Sequence, residues 1–291
     1  IAGFFGVSIA TAQWVPLIYL LTISSLLLFY GRLGDIFGYK QVYLAGLASF
    51  TVASALCGLA PTIHWLIAFR AFQGIGSGMM MSVPFAILTT VFQPQERGRA
   101  LGINAISISA GLAFGPTLGG ILASLWSWRL VFLINIPIGI VAFLWGWKVI
   151  PELKGQPGKI DTTGAVAAFI CLFSFLFFIN QLQGTGIGPT TVGALAIAII
   201  SGISFIYIEN HSPQPMVKLA LFANKTFTLG NISAMLNFAS QYIMVFATPF
   251  YLQRVLHYPP DKIGFLMTCF PLAVMIIAPF SSTLSDRLGT R

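Results

Sequence analysis

Charges are so sparse in this chain that they leave eight uncharged stretches, at residues 1–31, 41–69, 71–95, 100–128, 130–147, 162–208, 226–253 and 263–285. A helix that crosses the hydrocarbon core of a bilayer needs roughly 17–25 predominantly apolar residues, and every one of these stretches is long enough. The longest, 162–208, exceeds one span and carries Gly184, Gly186, Gly188 and Pro189 between apolar flanks, a turn signal that divides it in two. Arg70 interrupts an otherwise continuous apolar segment, which puts it inside a helix and not in a loop. The pattern predicts an all-α polytopic membrane protein with about nine transmembrane helices, at 12–31, 41–60, 65–92, 100–124, 129–149, 163–181, 190–208, 227–252 and 262–283. Composition agrees: 8% of residues are charged and 57% hydrophobic, where soluble domains are about 25% charged. A water-soluble globule and a disordered chain are both excluded. The net charge of +8 does not mark a nucleic-acid surface, because the basic groups punctuate apolar runs instead of clustering on one face.

Orientation follows from where the basic residues fall. With the 32–40 connection in the cytoplasm, eleven Lys and Arg lie inside and only Arg129, Arg254 and Lys262 outside. That asymmetry predicts a multi-pass protein of the plasma (cell inner) membrane, with the start of this chain outside and its end cytoplasmic. The two longest inner connections, 150–162 and 209–226, are rich in Pro and Gly and read as linkers. They divide the chain into a helical block at 1–150, a helix pair with flanking cytoplasmic loops at 151–226, and a block at 227–291 that stops after two helices. From its start at Ile1 and its end at the edge of a block, flanking segments are expected on both sides.

The chemistry-bearing residues come in a few short motifs. Gly31-Arg32-Leu33-Gly34-Asp35-Ile36-Phe37-Gly38-Tyr39-Lys40 reads as a tight inner turn, in which Asp35 can cap a helix N-terminus. Its Asp, the Gly three later and the base five later recur 251 residues on as Asp286, Gly289 and Arg291, with Arg287 after the Asp. Two copies of one loop mark an internal repeat of helical halves, an architecture of secondary transporters. Arg70 costs several kcal/mol in a bilayer interior unless it faces a partner or a wet cavity. Gln73, Gly74 and Ser77 follow it, Gln73 and Ser77 on its own face, as a polar stripe suited to a proton or substrate pathway or to interhelical packing. Gly111, Gly115 and Gly119 repeat every four residues, with Pro116 and Gly120 among them, so another backbone can approach that face and the helix can bend.

These segments closely resemble the major facilitator superfamily, and within it the fourteen-helix drug:proton antiporters. The Gly31–Gln41 loop is similar to the superfamily's signature loop, Arg70–Gly76 to its fourth-helix motif, and Gly111–Gly120 to the fifth-helix motif associated with antiporters. The second copy departs from the pattern in having Ser282 where Gly31 stands in the first. The resemblance implies a major facilitator-type helical bundle. In it, 1–150 is an N-terminal half lacking its first helix, 151–226 the linker helix pair, and 227–291 the start of a truncated C-terminal half. It also implies multidrug efflux by proton antiport, with the bilayer, protons and lipophilic, often cationic, small molecules as partners.

Tyr19, Asn104, Asn237 and Gln241 are candidates for substrate contact, because small and polar stripes on membrane helices face protein or a cavity; interhelical hydrogen bonding accounts for them equally well. No catalytic residue, metal site or cofactor is expected: Cys57, Cys171 and Cys269, and His64, His211 and His257, have no ligand spacing. All seven acids map to loops or helix ends, so efflux is not expected of residues 1–291 alone, and an acidic helix residue is expected upstream of Ile1. The rival readings are an uptake symporter for a small metabolite, against which the Gly111–Gly120 motif speaks, and a non-transporting membrane remnant or interaction protein.

Overall fold

The computed structural model describes residues 1–277 apart from 126, 154, 156–157, 159–160, 185, 214, 259–262, 264–265, 270 and 275; within its helices the side chains at 113, 116–117, 120–121, 123–125, 183, 242, 245–246 and 250 also lie outside the described set. The elements are α1 (Ala2–Phe5), α2 (Ile9–Phe37), α3 (Tyr39–Gly58), α4 (Ile63–Ser82), α5 (Pro84–Val91), α6 (Arg97–Leu125), α7 (Leu130–Leu133), α8 (Asn135–Val149), α9 (Thr162–Gly184), α10 (Pro189–His211), a 3-10 turn (Leu219–Ala223) and α11 (Lys225–Arg254). Among the described residues six segments are long and apolar enough to cross a membrane: Ile9–Phe37, Tyr39–Gly58, Ile63–Val91, Leu130–Val149, Thr162–Leu182 and Pro189–His211. All six stand where the sequence places a span. α6 and α11, 29 and 30 residues long, occupy two further predicted positions without joining those six. Half of the last predicted helix, 262–283, lies outside the described residues, and its described residues are helical.

Three boundaries differ from the sequence reading, each for a backbone reason. The expected turn at 32–40 is mostly helix: α2 runs through Gly31 and Gly34 to Phe37, and Gly38 alone joins it to α3. Glycine is common inside membrane helices, so the first two do not break this one. Gly38 does, at φ 98° and ψ 137°, a region that only glycine enters readily. A Cβ there would also stand 2.5 Å from the Leu153 carbonyl oxygen. The helix expected over 65–92 is divided between Ser82 and Pro84, because a proline has no N–H to continue the ladder and opens a new helix readily. The one expected over 129–149 is divided at Ile134, where Pro137 leaves the Leu133 carbonyl without its usual donor.

The chain divides into two compact units, one of residues 1–87 and 125–218, the other of 88–124 and 219–291. In the first, α4 packs along both α2 and α3, α3 also along α8, and α9 along α10 and α2. Between membrane helices close backbone approach and dispersion replace the water-driven force, and small residues make the approach. A Cβ on Gly46 or on Gly76 would stand 2.8 Å from the other's carbonyl oxygen; one on Gly74 or Gly78 would stand 2.8 Å from Thr22 or Tyr30 of α2. Gly139 of α8 meets Thr51 of α3 in the same way. At one end Val15, Cys57, Ala60, Ile63, Leu66 and Phe132 form a buried core, with Phe5 and Trp128 against it. Arg129 donates from Nη2 to the Ala60 carbonyl at 3.0 Å and lies over the Phe4 and Trp128 rings. In the second unit Asn224 caps α11, its side-chain oxygen accepting the Thr226 N–H at 2.9 Å.

Asp161 starts α9. Its Oδ1 accepts from the Gly164 N–H at 2.8 Å and the Thr163 hydroxyl at 2.7 Å. Partial burial pushes its carboxyl up, but the hydrogen bonds from Gly164, Thr163 and Ser212 outweigh that and hold it below its ordinary value. A depressed carboxyl stabilises the fold above the unfolded-state pKa of about 4, and that contribution is lost as pH falls through the lower folded value. Thermal unfolding should therefore move to lower temperature as pH falls below about 4, and Asp161→Asn, which keeps the cap without the charge, should flatten that dependence.

Candidate functional site

Arg70 projects from α4 between α2 and α3, and neutral acceptors hold it there. Its Nε donates to the Val15 carbonyl at 3.1 Å and its Nη1 to Gln73 Oε1 at 2.5 Å. The guanidinium lies over the Tyr19 ring, 3.9 Å from the centroid, with the Phe132 ring at 5.7 Å. Gln73 is 1% exposed; its Nε2 donates to Ser54 Oγ at 2.6 Å, and the Cys57 thiol points at its Oε1 from 3.9 Å. Ser77, one turn further along α4, shares a hydrogen bond of 2.8 Å with the Tyr19 hydroxyl. Gly74 lets α2 lie close enough for these contacts, since its missing Cβ would strike Thr22 and come within 2.9 Å of the Tyr19 carbonyl.

The cluster therefore joins three helices through a half-buried cation, an amide and three hydroxyls. Among the described residues no carboxylate pairs with Arg70. A guanidinium held by a carbonyl, an amide oxygen and a ring face keeps its full charge in place. It can stabilise an anion or lower the proton affinity of an acid brought near it. The hydroxyls of Tyr19, Ser77 and Ser54 can each pass a proton as donor and acceptor.

The signature segment takes a different form. Arg32 and Asp35 lie one helical turn apart on α2 with 3.9 Å between charged atoms, and Asp35 Oδ1 accepts the Tyr39 hydroxyl at 2.7 Å. The cap expected of Asp35 is not made to α3, whose start has no side-chain cap. Lys40 lines a groove of about 440 Å³ between α3 and α8 with Phe37, Gln41, Leu44, Trp147 and Glu152. Gly31 has open space where a Cβ would be, whereas Gly34 is closed in by Tyr39 and Val83.

Other sequence candidates lie in the second unit. Asn237 and Gln241 share the exposed face of α11, Gln241 Nε2 donating to Asn237 Oδ1 at 2.5 Å. Asn104 is half-buried on α6. The close approach expected at Gly111, Gly115 and Gly119 is not made among the described residues, none of which stands within 4 Å of a Cβ at any of the three. Of Pro116 and Gly120 only the helical backbone is described, and Asp286, Arg287, Gly289 and Arg291 lie outside the described residues. The sequence reading missed Ser54 and Cys57, which contribute α3 to the Arg70 cluster. Their signal was a run of small residues along α3, Gly46, Ala53, Ser54, Cys57 and Gly58, all of which are buried.

The sequence model of the Major Facilitator Superfamily matches residues 1–223. The chain belongs to the Major Facilitator Superfamily. Members of the Major Facilitator Superfamily are transporters and not enzymes, in keeping with a multi-pass helical chain. Its relatives include the riboflavin transporter RibZ of Clostridioides difficile, 33% identical over all of this chain and 63% of RibZ. They also include the multidrug resistance protein Stp of Mycobacterium tuberculosis, 31% identical over 96% of this chain and 52% of Stp. A third is the tetracenomycin C resistance and export protein of Streptomyces glaucescens, 31% identical over 97% of this chain and 53% of that protein. The chain thus spans about half to just under two thirds of the length of these relatives. Among solved structures, a peptide transporter, POT, crystallised with sulfate shares the fold at a TM-score of 0.61 and 18% identity, covering 99% of this chain and 62% of that one.

Proposed function

We propose that this chain belongs to a secondary multidrug exporter of the plasma membrane, in the fourteen-helix drug:proton antiporter branch of its superfamily. Lipophilic, often cationic, compounds leave as protons enter, by alternating access between two helical halves. The observation that carries the reading is the half-buried Arg70 held by neutral acceptors, with Tyr19, Gln73 and Ser77 along it. A fixed cation of this kind biases an approaching acid towards releasing its proton, the step a proton-coupled cycle needs. Two relatives carry drug resistance or export in their names. In this reading 1–150, 151–226 and 227–291 are an N-terminal half, a linker pair and the start of a C-terminal half. Asp35 and the α2–α3 joint beside it, with the repeat at Asp286, govern closure of the cytoplasmic side. The Gly111–Gly120 segment keeps the exchange leak-tight, and Asn104, Asn237 and Gln241 meet substrate.

The riboflavin transporter among the relatives favours a second reading, transport of a small metabolite. Expression of the intact gene product in an efflux-deficient host separates the two. Uncoupler-sensitive ethidium extrusion supports the exporter, while riboflavin accumulation without ethidium extrusion decides for the second. Orientation has its own test. Ile187, 84% exposed at the turn between α9 and α10, is on the outside in this reading, and Glu152 is inside. With Cys269 changed to serine, a cysteine at 187 should be labelled by an impermeant maleimide in whole cells, and one at 152 only after permeabilisation. Equal labelling would overturn the topology.

A further inference from the structure

The α9–α10 pair holds a carboxyl group that the transport reading does not use. Glu209, in the last turn of α10, is only 4% exposed, although glutamate is among the residues least often buried without a partner. Its carboxylate accepts two backbone N–H groups of the segment that turns back after α10, that of Val217 at 3.2 Å from Oε2 and that of Met216. Its Oε1 is buried with no hydrogen-bond partner among the described residues. That oxygen faces Gly164 in the first turn of α9, where a Cβ would stand 3.2 Å from Glu209 Oε1 and 3.2 Å from Asp161 Oδ2. Two carboxyl groups therefore face one another across the backbone of a residue that has no side chain.

The two are not equivalent. Asp161 is held in its ionised form by the Gly164 N–H and the Thr163 and Ser212 hydroxyls. Among the described residues, the charge that acts on Glu209 is that of Asp161. On α10 itself the His211 ring is engaged with its own Tyr207 carbonyl at 2.9 Å. On α2, which packs against α9, Arg32 and Asp35 are set 3.9 Å apart. The returning segment presents the Val217 N–H, with Lys218 next in the chain; Lys154 and Lys159 lie outside the described residues. A second negative charge, buried beside the first with one oxygen unpaired, is the arrangement that a bound proton relieves.

We propose that Glu209 and Asp161 form a proton-binding carboxyl pair at the end of the α9–α10 hairpin, separate from the Arg70 cluster. One proton binds Glu209 Oε1, the pair goes from two negative charges to one, and the new O–H donates into the hollow at Gly164 towards Asp161 Oδ2. Loss of that proton at high pH leaves Oε1 charged and unpaired beside Asp161 and drives it to seek water. The hairpin end thereby responds to pH whatever the molecule transports.

Infrared pH-difference spectroscopy of the intact protein in liposomes reads this directly. The expected result is a carbonyl stretch of a protonated carboxylic acid that persists at neutral pH, is absent in Glu209→Gln, and titrates at least about one pH unit lower in Asp161→Asn. Glu209→Gln keeps the shape of the side chain and its acceptor for Val217, and gel filtration checks its fold. Should that variant misfold, the Asp161→Asn shift decides alone. Absence of the band in the wild type at neutral pH, its survival in a folded Glu209→Gln protein, or an unshifted midpoint in Asp161→Asn would overturn the proposal. Removal of the band by sodium or calcium ions at constant pH would also overturn it, by assigning the hollow to a cation.

Discussion

Arg70→Lys should lower uncoupler-sensitive efflux at least about tenfold while the amount of protein in the membrane stays near normal. The guanidinium reaches the Val15 carbonyl and Gln73 Oε1 from two different nitrogens while its carbon lies over the Tyr19 ring. An ammonium is a single point on a flexible stem and cannot satisfy both acceptors from one position. A hydrogen bond to a charged group is worth about 1.5–3 kcal/mol net, so one lost bond already amounts to tenfold or more in an equilibrium. The remaining acceptor then loses its charged donor, and Gln73 is free to turn away from Ser54. Efflux at the parental rate in the lysine variant would show that Arg70 serves only to hold helices together. Transport assays on cells with matched immunoblot levels decide this.

Gly76→Ala should destabilise the protein by about 1–3 kcal/mol, whereas Gly31→Ala should stabilise it by about 0.4–1 kcal/mol. At Gly76 the added carbon would stand 2.5 Å from the Phe50 backbone nitrogen and 2.8 Å from the Gly46 carbonyl. Those are backbone atoms of α3, so no side chain can swing aside and the two helices must separate. At Gly31 nothing stands within 4 Å and the backbone is helical, so alanine removes conformational freedom from the unfolded chain at no cost in packing. The two substitutions add the same methyl group, and thermal unfolding in detergent should move in opposite directions. Equal effects would mean that α3 and α4 are not in the close contact described.

The spans were legible because a charge in hydrocarbon is costly enough to leave its mark on almost every residue of the pattern. That cost also made Arg70 conspicuous, and helical spacing alone put Gln73 and Ser77 beside it. Tyr19, Ser54 and Cys57 reach the same cluster from other helices. No local pattern states which face of α3 meets which face of α4, so Ser54 and Cys57 looked like any other small residues. The first inner turn was misread for a different reason. Glycine serves membrane helices as a packing residue and connections as a hinge, and of Gly31, Gly34 and Gly38 only the backbone angles at the last identify the hinge. Pro84 and Pro137 did carry a readable signal, since each removes a helix donor, yet a long apolar run outweighed it in the reading.

Gly38 also has a mechanical consequence. It is the one non-helical residue between α2 and α3, so their relative orientation hangs on two torsions, both in a region that no other residue enters readily. The chain just beyond α8 presses on that joint, the Leu153 carbonyl against Gly38 and Gly155 against the Ile36 carbonyl. A joint without slack transmits torque instead of absorbing it. Any rotation of α2 is passed to α3, and, through the contacts of Leu153 and Gly155, to the chain that follows α8, so these helices turn as a single lever.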